Sequence, residues 1–395
     1  VEKELSSDLA ILKPNADVVG NADEKNCEQM IGVIPVPVGI AGPLKLTLSS
    51  GEILERYLPL ATTERPLVAS VNRACKAITM SGGATVQSIH HGTSRSIGFK
   101  RSEATGQKAL IEHEAQKWLP VAESTSSHLK VLRYELDETA DYVFLTLFCD
   151  TDEAMGMNMV TIAAQAVGEW IEKEIDGLTF VTVAANVDSD KKPSVRTHEE
   201  GRGFEVRAEV TVPLAVITEV LKTTPEKLLE AAQAKLDVGS RIAGAIGKNL
   251  HAANIIAALY LATGQDAAHV VEGSMTDTDV ESVMVSPSNH DTQSIVPLRR
   301  TQGDNAGGIH ISVRIPALMI GLRGGGTDLP AQKKCLELLL GEKSKLHSRQ
   351  KLAEIIGSAV LAGEISLLAS QASHTLAVSH KKLGRRSLIN SVETL

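Results

Sequence analysis

The sequence predicts a mixed helical and sheet protein of more than one domain, and three observations carry that prediction. The chain has 395 residues, 43% hydrophobic and 22% charged, enough to bury a large core and long enough to divide into two or three domains. The runs Val131-Leu132-Arg133-Tyr134 and Tyr142-Val143-Phe144-Leu145-Thr146-Leu147-Phe148 are strand-like. From about Ile97 to Val183 the texture is that of a smaller α/β unit.

Charge and cysteine usage exclude several classes. A net charge of -8 argues against a nucleic-acid partner, because any basic face would need a still more acidic remainder. Cys27, Cys75, Cys149 and Cys335 are scattered without CxxC or His-paired spacing, which predicts free thiols, a reducing compartment and no metal. No apolar run approaches membrane-spanning length, and Val1-Glu2-Lys3-Glu4-Leu5 lacks a signal-peptide shape. The expectation is a cytoplasmic location with no membrane partner in this chain.

In chain order, residues 1–27 are polar, and Leu5, Leu9 and Leu12 before Pro14 predict a small helical lead-in. Residues 31–43, IGVIPVPVGIAGP, are broken by Pro and Gly and cannot form a regular helix. They read as a buried extended loop or edge strand that a ligand approaches, or as a packed connector. Glu64 follows Thr62 and Thr63 and opens a helix marked by Leu67, Val68, Val71 and Ile78. It is either a first-turn cap or a partly buried carboxyl able to deliver a proton. Met159, Ile162, Ala163, Ala166, Val167, Trp170 and Ile171 mark an amphipathic helix.

The junction before that helix, Asp152-Glu153-Ala154-Met155-Gly156-Met157-Asn158-Met159, places a glycine and free N–H groups at a helix start, with an acid just before. That is dinucleotide-binding logic without the GxGxxG spelling, and equally a methionine cluster of the core. Residues 204–212 alternate like a strand, Pro225 opens a helix, and residues 238–247 suggest a tightly packed small-residue helix continued by 251–260. His251 and Asn254 share a face of it, as core hydrogen-bonders or ligand contacts. Asp266 at its end is costly to bury unless it meets a partner such as a lysine. Residues 273–316 read as a long surface excursion. The triple glycine 324–326 is a close approach for a ligand or a flexible turn. Helices follow at 335–340 and 351–377, the second delivering His380 to a basic end as plain surface or as a mobile acid.

The chain is organised around Asp188-Ser189-Asp190-Lys191-Lys192-Pro193-Ser194. Pro193 disfavours the helical region for Lys192, so the lysines are expected on an extended loop with side chains in a common space. Such a place suits an oxyanion; the alternative is a solvated charged turn.

Taken in order, IGVIPVPVGIAGPL, ATTERPLVAS, GTSR, DEAMGMNM, DKKP, EEGRG, HAAN, GQDAA, RGGGTDL, AGEISLLAS and SH resemble the catalytic portion of the 3-hydroxy-3-methylglutaryl-CoA (HMG-CoA) reductases, from about residue 28 to 380. The likeness is to the class of eukaryotes, archaea and some bacteria. It implies an α+β fold: a large helix-rich acyl-CoA-binding domain (28–96 and 183–370) with an inserted small ferredoxin-like α/β dinucleotide-binding domain (97–182). A mobile flap at 371–395 follows. It further implies NADPH-dependent reduction of HMG-CoA to mevalonate and CoA, in a homodimer or higher homo-oligomer with sites at the subunit interface.

Carried over by motif, the resemblance makes Lys191 the oxyanion partner, Glu64 a proton donor kept protonated by burial and by Asp266, Asp266 the group coupled to both, and His380 the acid for the CoA thiolate. Ser70, Asn72, Arg73, Arg95, Asp190, Lys192, Lys235, His251 and Asn254 are the implied substrate contacts. Glu153, Met155, Gly156, Met157, Asn158, Gly324 and Gly325 are implied to line the dinucleotide. Relatives commonly carry Gly after the acid where Arg65 stands, Asp at Glu153 and Ser at Ala184. Ser127 takes the place of an Arg for the 2'-phosphate, leaving Ser126, His128 and Lys130 as its candidate partners and NADH as the alternative coenzyme. The insertion around 286–310 has no counterpart. The rival readings are an NAD-dependent enzyme that oxidises mevalonate and a non-catalytic acyl-CoA-binding protein.

Overall fold

The computed structural model describes residues 13, 15–102, 106–284, 307–342 and 344–374. Its frame is one strand long enough to serve two sheets. Strands β1 (Val38–Thr47) and β2 (Ile53–Ala61) form an antiparallel hairpin, helix α1 (Leu67–Met80) packs on β1, and β3 runs from Ala84 to Arg101. The first half of β3 pairs with β1 and β7 (Arg202–Pro213); its second half pairs with β5 (Tyr142–Asp150) and β6 (Leu178–Thr182).

The second half of β3 founds the smaller unit. Helices α2 (Gln107–His113) and α3 (Ala115–Glu123), strand β4 (Lys130–Glu138), β5, helix α4 (Met157–Glu174) and β6 follow in turn. The sheet order β4-β5-β3-β6, antiparallel throughout, is ferredoxin-like. Its own core includes Ile97, Phe99, Trp118, Leu145, Val160, Val167 and Ile171. Trp118 is fully buried because its indole N–H finds the Ile111 carbonyl at 2.8 Å. The buried face of α4 is Met157, Val160, Ala163, Ala164, Val167, Gly168 and Ile171. It is rotated from the expected one, and Ile162 is 60% exposed.

The larger unit continues the other end of the sheet through β7, β9 (Gly307–Leu318) and β8 (Asp277–Met284). Helices α5 (Val195–Glu200), α6 (Pro225–Ala232), α7 (Ala252–Thr263), α8 (Pro330–Leu340) and α9 (Ser348–Ala372) complete it. Helix α9 packs against α1, α7, β3, β7 and β9 and is buried all round, so its sequence shows almost no polar stripe. By length and composition it could cross a membrane, contrary to the expectation that no run is long enough; here the sheet and neighbouring helices cover it.

Three further expectations are corrected. Residues 277–284 and 307–318 are paired strands of the large sheet, and not a surface excursion; residues 285–306, most of the expected insertion, lie outside the described residues. None of residues 238–247 is buried, Ile242 being 82% exposed, and Gly244 ends that helix before α7 begins. Small apolar residues report only that close approach is possible. Residues 31–40 are likewise not buried in this chain: Ile34 is 83% exposed, and Val38 and Ile40 are exposed too. All four cysteines are free.

Candidate active site

The lysine loop follows β6 and ends at Ser194, whose hydroxyl accepts the Thr197 amide at 3.3 Å and caps α5. With Lys192 barred from the helical region by Pro193, the chain turns through left-handed residues: Asn186 (φ 64°), Ser189 (φ 53°) and Lys191 (φ 56°). The loop is therefore a tight turn and not the extended segment expected. Each such residue costs about 1–2 kcal/mol, so contacts from outside must hold it.

They come from behind the loop. The Lys191 amide donates to Glu272 Oε1 at 2.7 Å; Arg202 Nη1 donates to the same oxygen at 2.8 Å, and His269 Nδ1 lies 3.1 Å from it. Glu272, His269 and Arg202 are all buried. Arg202 also reaches Asp190 Oδ1 at 3.0 Å and Ser94 Oγ at 2.8 Å. Arg95 stands 3.5 Å from Asp190 and 3.7 Å from Asp188. Two guanidinium groups thus face two carboxylates, which is what keeps buried charge tolerable. Burial pushes the Asp188 carboxyl up against the pull of Arg202 and Arg95. For Asp190 the balance reverses: burial alone would raise it, but Arg202, His269 and Arg95 hold it below the ordinary range.

At the outer end, Lys191 Nζ lies 2.7 Å from Asp266 Oδ2, and Asp266 Oδ1 accepts the Ala268 amide at 3.0 Å. Burial would raise Asp266, yet the hydrogen bonds from Lys191 and the Ala268 amide, with His269 nearby, keep it below the usual carboxylate value. The two side chains retain 41% and 35% exposure. An ammonium placed this way, anchored below and open above, can meet an oxyanion. Lys192 is exposed, its amine turned back to the Asp190 carbonyl at 3.0 Å.

A separate cleft of ≈ 440 Å³ gathers most of the other predicted residues: Glu64, Ser70, Arg73, Lys235, His251 and Asn254. Arg73 is fixed by the Ser366 carbonyl at 2.7 Å and Ser370 Oγ at 2.6 Å, and Ser70 bonds Ser366 Oγ at 2.8 Å. His251 Nε2 faces the Gly363 carbonyl at 2.8 Å, which fixes the ring proton there. The His251 and Leu250 amides donate to Glu364 at 2.8 and 2.7 Å, so a buried carboxylate caps the start of α7. Helix α1 begins at Leu67 with Pro66 as its cap residue, and Glu64 is exposed at the cleft. It is neither of the two alternatives expected, the first-turn cap or the partly buried carboxyl. Asn72 does not line the cleft; its Oδ1 accepts the Gly42 amide at 3.0 Å. Lys191 and Asp266 do not line it either. His380 lies outside the described residues.

The predicted dinucleotide residues surround the loop before α4. Gly156 adopts φ 88° as the cap residue of this 18-residue helix, with no side-chain cap bond, and a Cβ there would lie 2.4 Å from Thr151. The uncapped N–H groups give an anion-binding end. Glu153 pairs with Arg323, and its carbonyl accepts the Leu322 amide at 2.7 Å, drawing Gly324 and Gly325 alongside. Both glycines have positive φ, and a Cβ on either would meet nothing within 4 Å, so this flank is open. Met155 bonds Thr93 Oγ1 through its carbonyl at 2.7 Å, and Asn158 is exposed. Met157 turns inward, its sulfur 3.3 Å from Arg202 Nη2. Ser126 Oγ accepts the His128 amide at 3.2 Å, His128 Nδ1 is 3.0 Å from Asp152 Oδ2, and Ser127 is exposed beside them.

His269, Glu272, Arg349 and Glu364 were not singled out from the sequence, and Arg202 stood out only as a glycine-flanked basic residue, Gly201-Arg202-Gly203. Asp266, His269 and Glu272 recur every three residues, a helical spacing that signals one face. Arg349, buried at the start of α9, binds the Thr151 hydroxyl at 3.0 Å and the Ala154 carbonyl at 2.7 Å; no motif marks it.

The architecture has solved counterparts. The class II 3-hydroxy-3-methylglutaryl-CoA reductase from Streptococcus pneumoniae, solved bound to NADPH in open conformations, matches with a TM-score of 0.65 over 90% of each chain at 19% identity. That likeness, one of fold, defines the class as α+β proteins with a small ferredoxin-like unit set into a larger one. The family model for hydroxymethylglutaryl-coenzyme A reductase matches residues 1–385. The 3-hydroxy-3-methylglutaryl-coenzyme A reductase of Methanocaldococcus jannaschii is 41% identical over 92% of this chain and 86% of its own length. That of Methanothermobacter thermautotrophicus is 38% identical over the same shares. The chain belongs to the hydroxymethylglutaryl-coenzyme A reductase family, and is an oxidoreductase.

Proposed function

We propose that this chain reduces HMG-CoA to mevalonate and free CoA, taking up two hydrides and two protons. The observation that carries the reading is the Lys191 amine, held 2.7 Å from Asp266 and left accessible. NADPH, when bound, supplies the hydrides. The residues present fit it: the uncapped start of α4 suits the pyrophosphate, and Gly324 and Gly325 leave the backbone open to approach. Residues 97–182 are then the dinucleotide domain, and Ser126, Ser127, His128 and Lys130 face the adenosine ribose.

Negative charge gathers on the thioester oxygen, and later on the aldehyde oxygen, as hydride arrives. Lys191 stabilises it, an effect of about 3 kcal/mol by analogy with a single oxyanion donor. Glu64 donates a proton during aldehyde reduction, and His380 donates one to the departing thiolate. The cleft holds the acyl-CoA through Ser70, Arg73, Lys235, His251 and Asn254, with Arg95, Asp190 and Lys192 on the loop side.

The complete site is assembled from two copies of the chain. Glu64 in one cleft and Lys191 of a second copy then share one substrate, which accounts for the exposed Ile34, Val38, Ile40 and Ile242. A cytoplasmic location belongs to the same reading and agrees with four free thiols. The test is HMG-CoA-dependent loss of NADPH absorbance by the purified chain, with NADH at equal concentration as comparison. Mevalonate and free CoA in the expected ratio to coenzyme support the reading. No turnover with either coenzyme removes it.

A further inference from the structure

The segment 266–272 grips Lys191 at both ends. Asp266 takes its amine at 2.7 Å and, six residues on, Glu272 takes its backbone amide at 2.7 Å. Glu272 is fully buried, and Oε1 is the shared acceptor for Lys191, Arg202 and His269, while Oε2 has no hydrogen-bond partner. Lys191 is in the left-handed region, φ 56°, where a non-glycine residue stays only if surrounding contacts over-determine it. Of the other amide bonds, Ser189 to Asn186 and Lys192 to Ser189 are internal to the turn, and Ser194, at the loop's end, reaches the Met275 sulfur at 3.3 Å. The bond to Glu272 ties this backbone unit to the rigid floor formed by Arg202 and β7.

We propose that Glu272 is a positioning residue for Lys191: it holds the residue's backbone in the left-handed turn that aims the amine at Asp266 and the reacting oxygen. Without that bond the turn relaxes toward negative φ, the Cα–Cβ direction swings, and the amine leaves its place. The proposal rests on the reading of Lys191 as the oxyanion partner.

Two substitutions separate positioning from charge balance. Glu272→Asp keeps the charge beside Arg202 but withdraws the carboxylate by one methylene from the Lys191 amide. Glu272→Gln loses the charge but keeps an acceptor oxygen at the same reach, its NH2 falling where Oε2 stands free. The expected result is a kcat about 100-fold lower in E272D, with KM for HMG-CoA and the melting temperature near wild type. E272Q keeps most of its turnover and melts lower. In a Lys191→Ala background neither substitution lowers the residual rate further. The reverse ordering, E272Q inactive and E272D intact, overturns the proposal, as does a full additive loss in the Lys191→Ala background. Intact turnover in K191A alone would instead overturn the catalytic reading itself.

Discussion

Lys191 and Asp266 meet at 2.7 Å across seventy-odd residues of chain, an exposed ammonium against a carboxylate whose backbone neighbour, Ala268, donates to its other oxygen. The pair joins the loop after β6 to the turn after α7. Everything else in the charge cluster lies beneath it.

That pairing has a pH signature. The Asp266 carboxyl sits below its ordinary range although burial opposes this, so its folded pKa is lower than its unfolded one. The stability it contributes is complete above the unfolded value of about 3.9 and is lost as pH falls through the folded value. Thermal melts below about pH 4 should therefore decline more steeply in the wild type than in Asp266→Asn. Parallel declines would mean that the pair has no differential effect on folding.

Gly156→Ala places a methyl group against Thr151 and forces alanine to φ 88°. The backbone term alone is about 1–3 kcal/mol. Melting temperature should drop, and the Michaelis constant for NADPH should rise more than that for HMG-CoA. A variant with both constants unchanged would detach this turn from coenzyme binding.

Part of this was legible in the sequence. Asp266 at the end of an apolar helix demanded a cation, and Lys191 provides it. Strands β4 and β5 followed from their β-branched and aromatic runs. The pairing of Glu272 with Lys191 and Arg202 was not legible, because these partners are 81 and 70 residues away, and only the folded register brings them together. The 238–247 stretch misled for the opposite reason: its small residues satisfy helix packing, but among the described residues Ile242 stays 82% exposed. Glu64 was expected at a helix start, as a first-turn cap or a partly buried carboxyl, and the three residues up to Leu67, including Pro66, leave it outside α1 instead.

The thiols should divide by burial. Burial pushes Cys75 and Cys149 up to about 12, and raises Cys335 as well, while Cys27 is exposed. Thiolate is the reactive form, so an aromatic disulfide reagent at neutral pH should label Cys27 first in the native protein. Cys75 and Cys149 should react only after denaturant is added. Their prompt labelling, detected by peptide mass, would contradict this core packing.

A site shared between two copies predicts complementation. Glu64→Gln and Lys191→Ala, each inactive alone, should regain about a quarter of wild-type activity when mixed through reversible dissociation, since half the dimers are mixed and each carries one intact site. Activity that stays at the level of the separate variants would place both residues in one chain's site.

The central claim is that the Lys191 ammonium meets charge that develops only during hydride transfer. Its most direct test is the steady-state rate of HMG-CoA-dependent NADPH oxidation by Lys191→Ala beside the wild type, with coenzyme saturating. A kcat lower by about 10²–10³ or more, with KM for HMG-CoA changed far less, is the predicted result. Turnover close to wild type would contradict it.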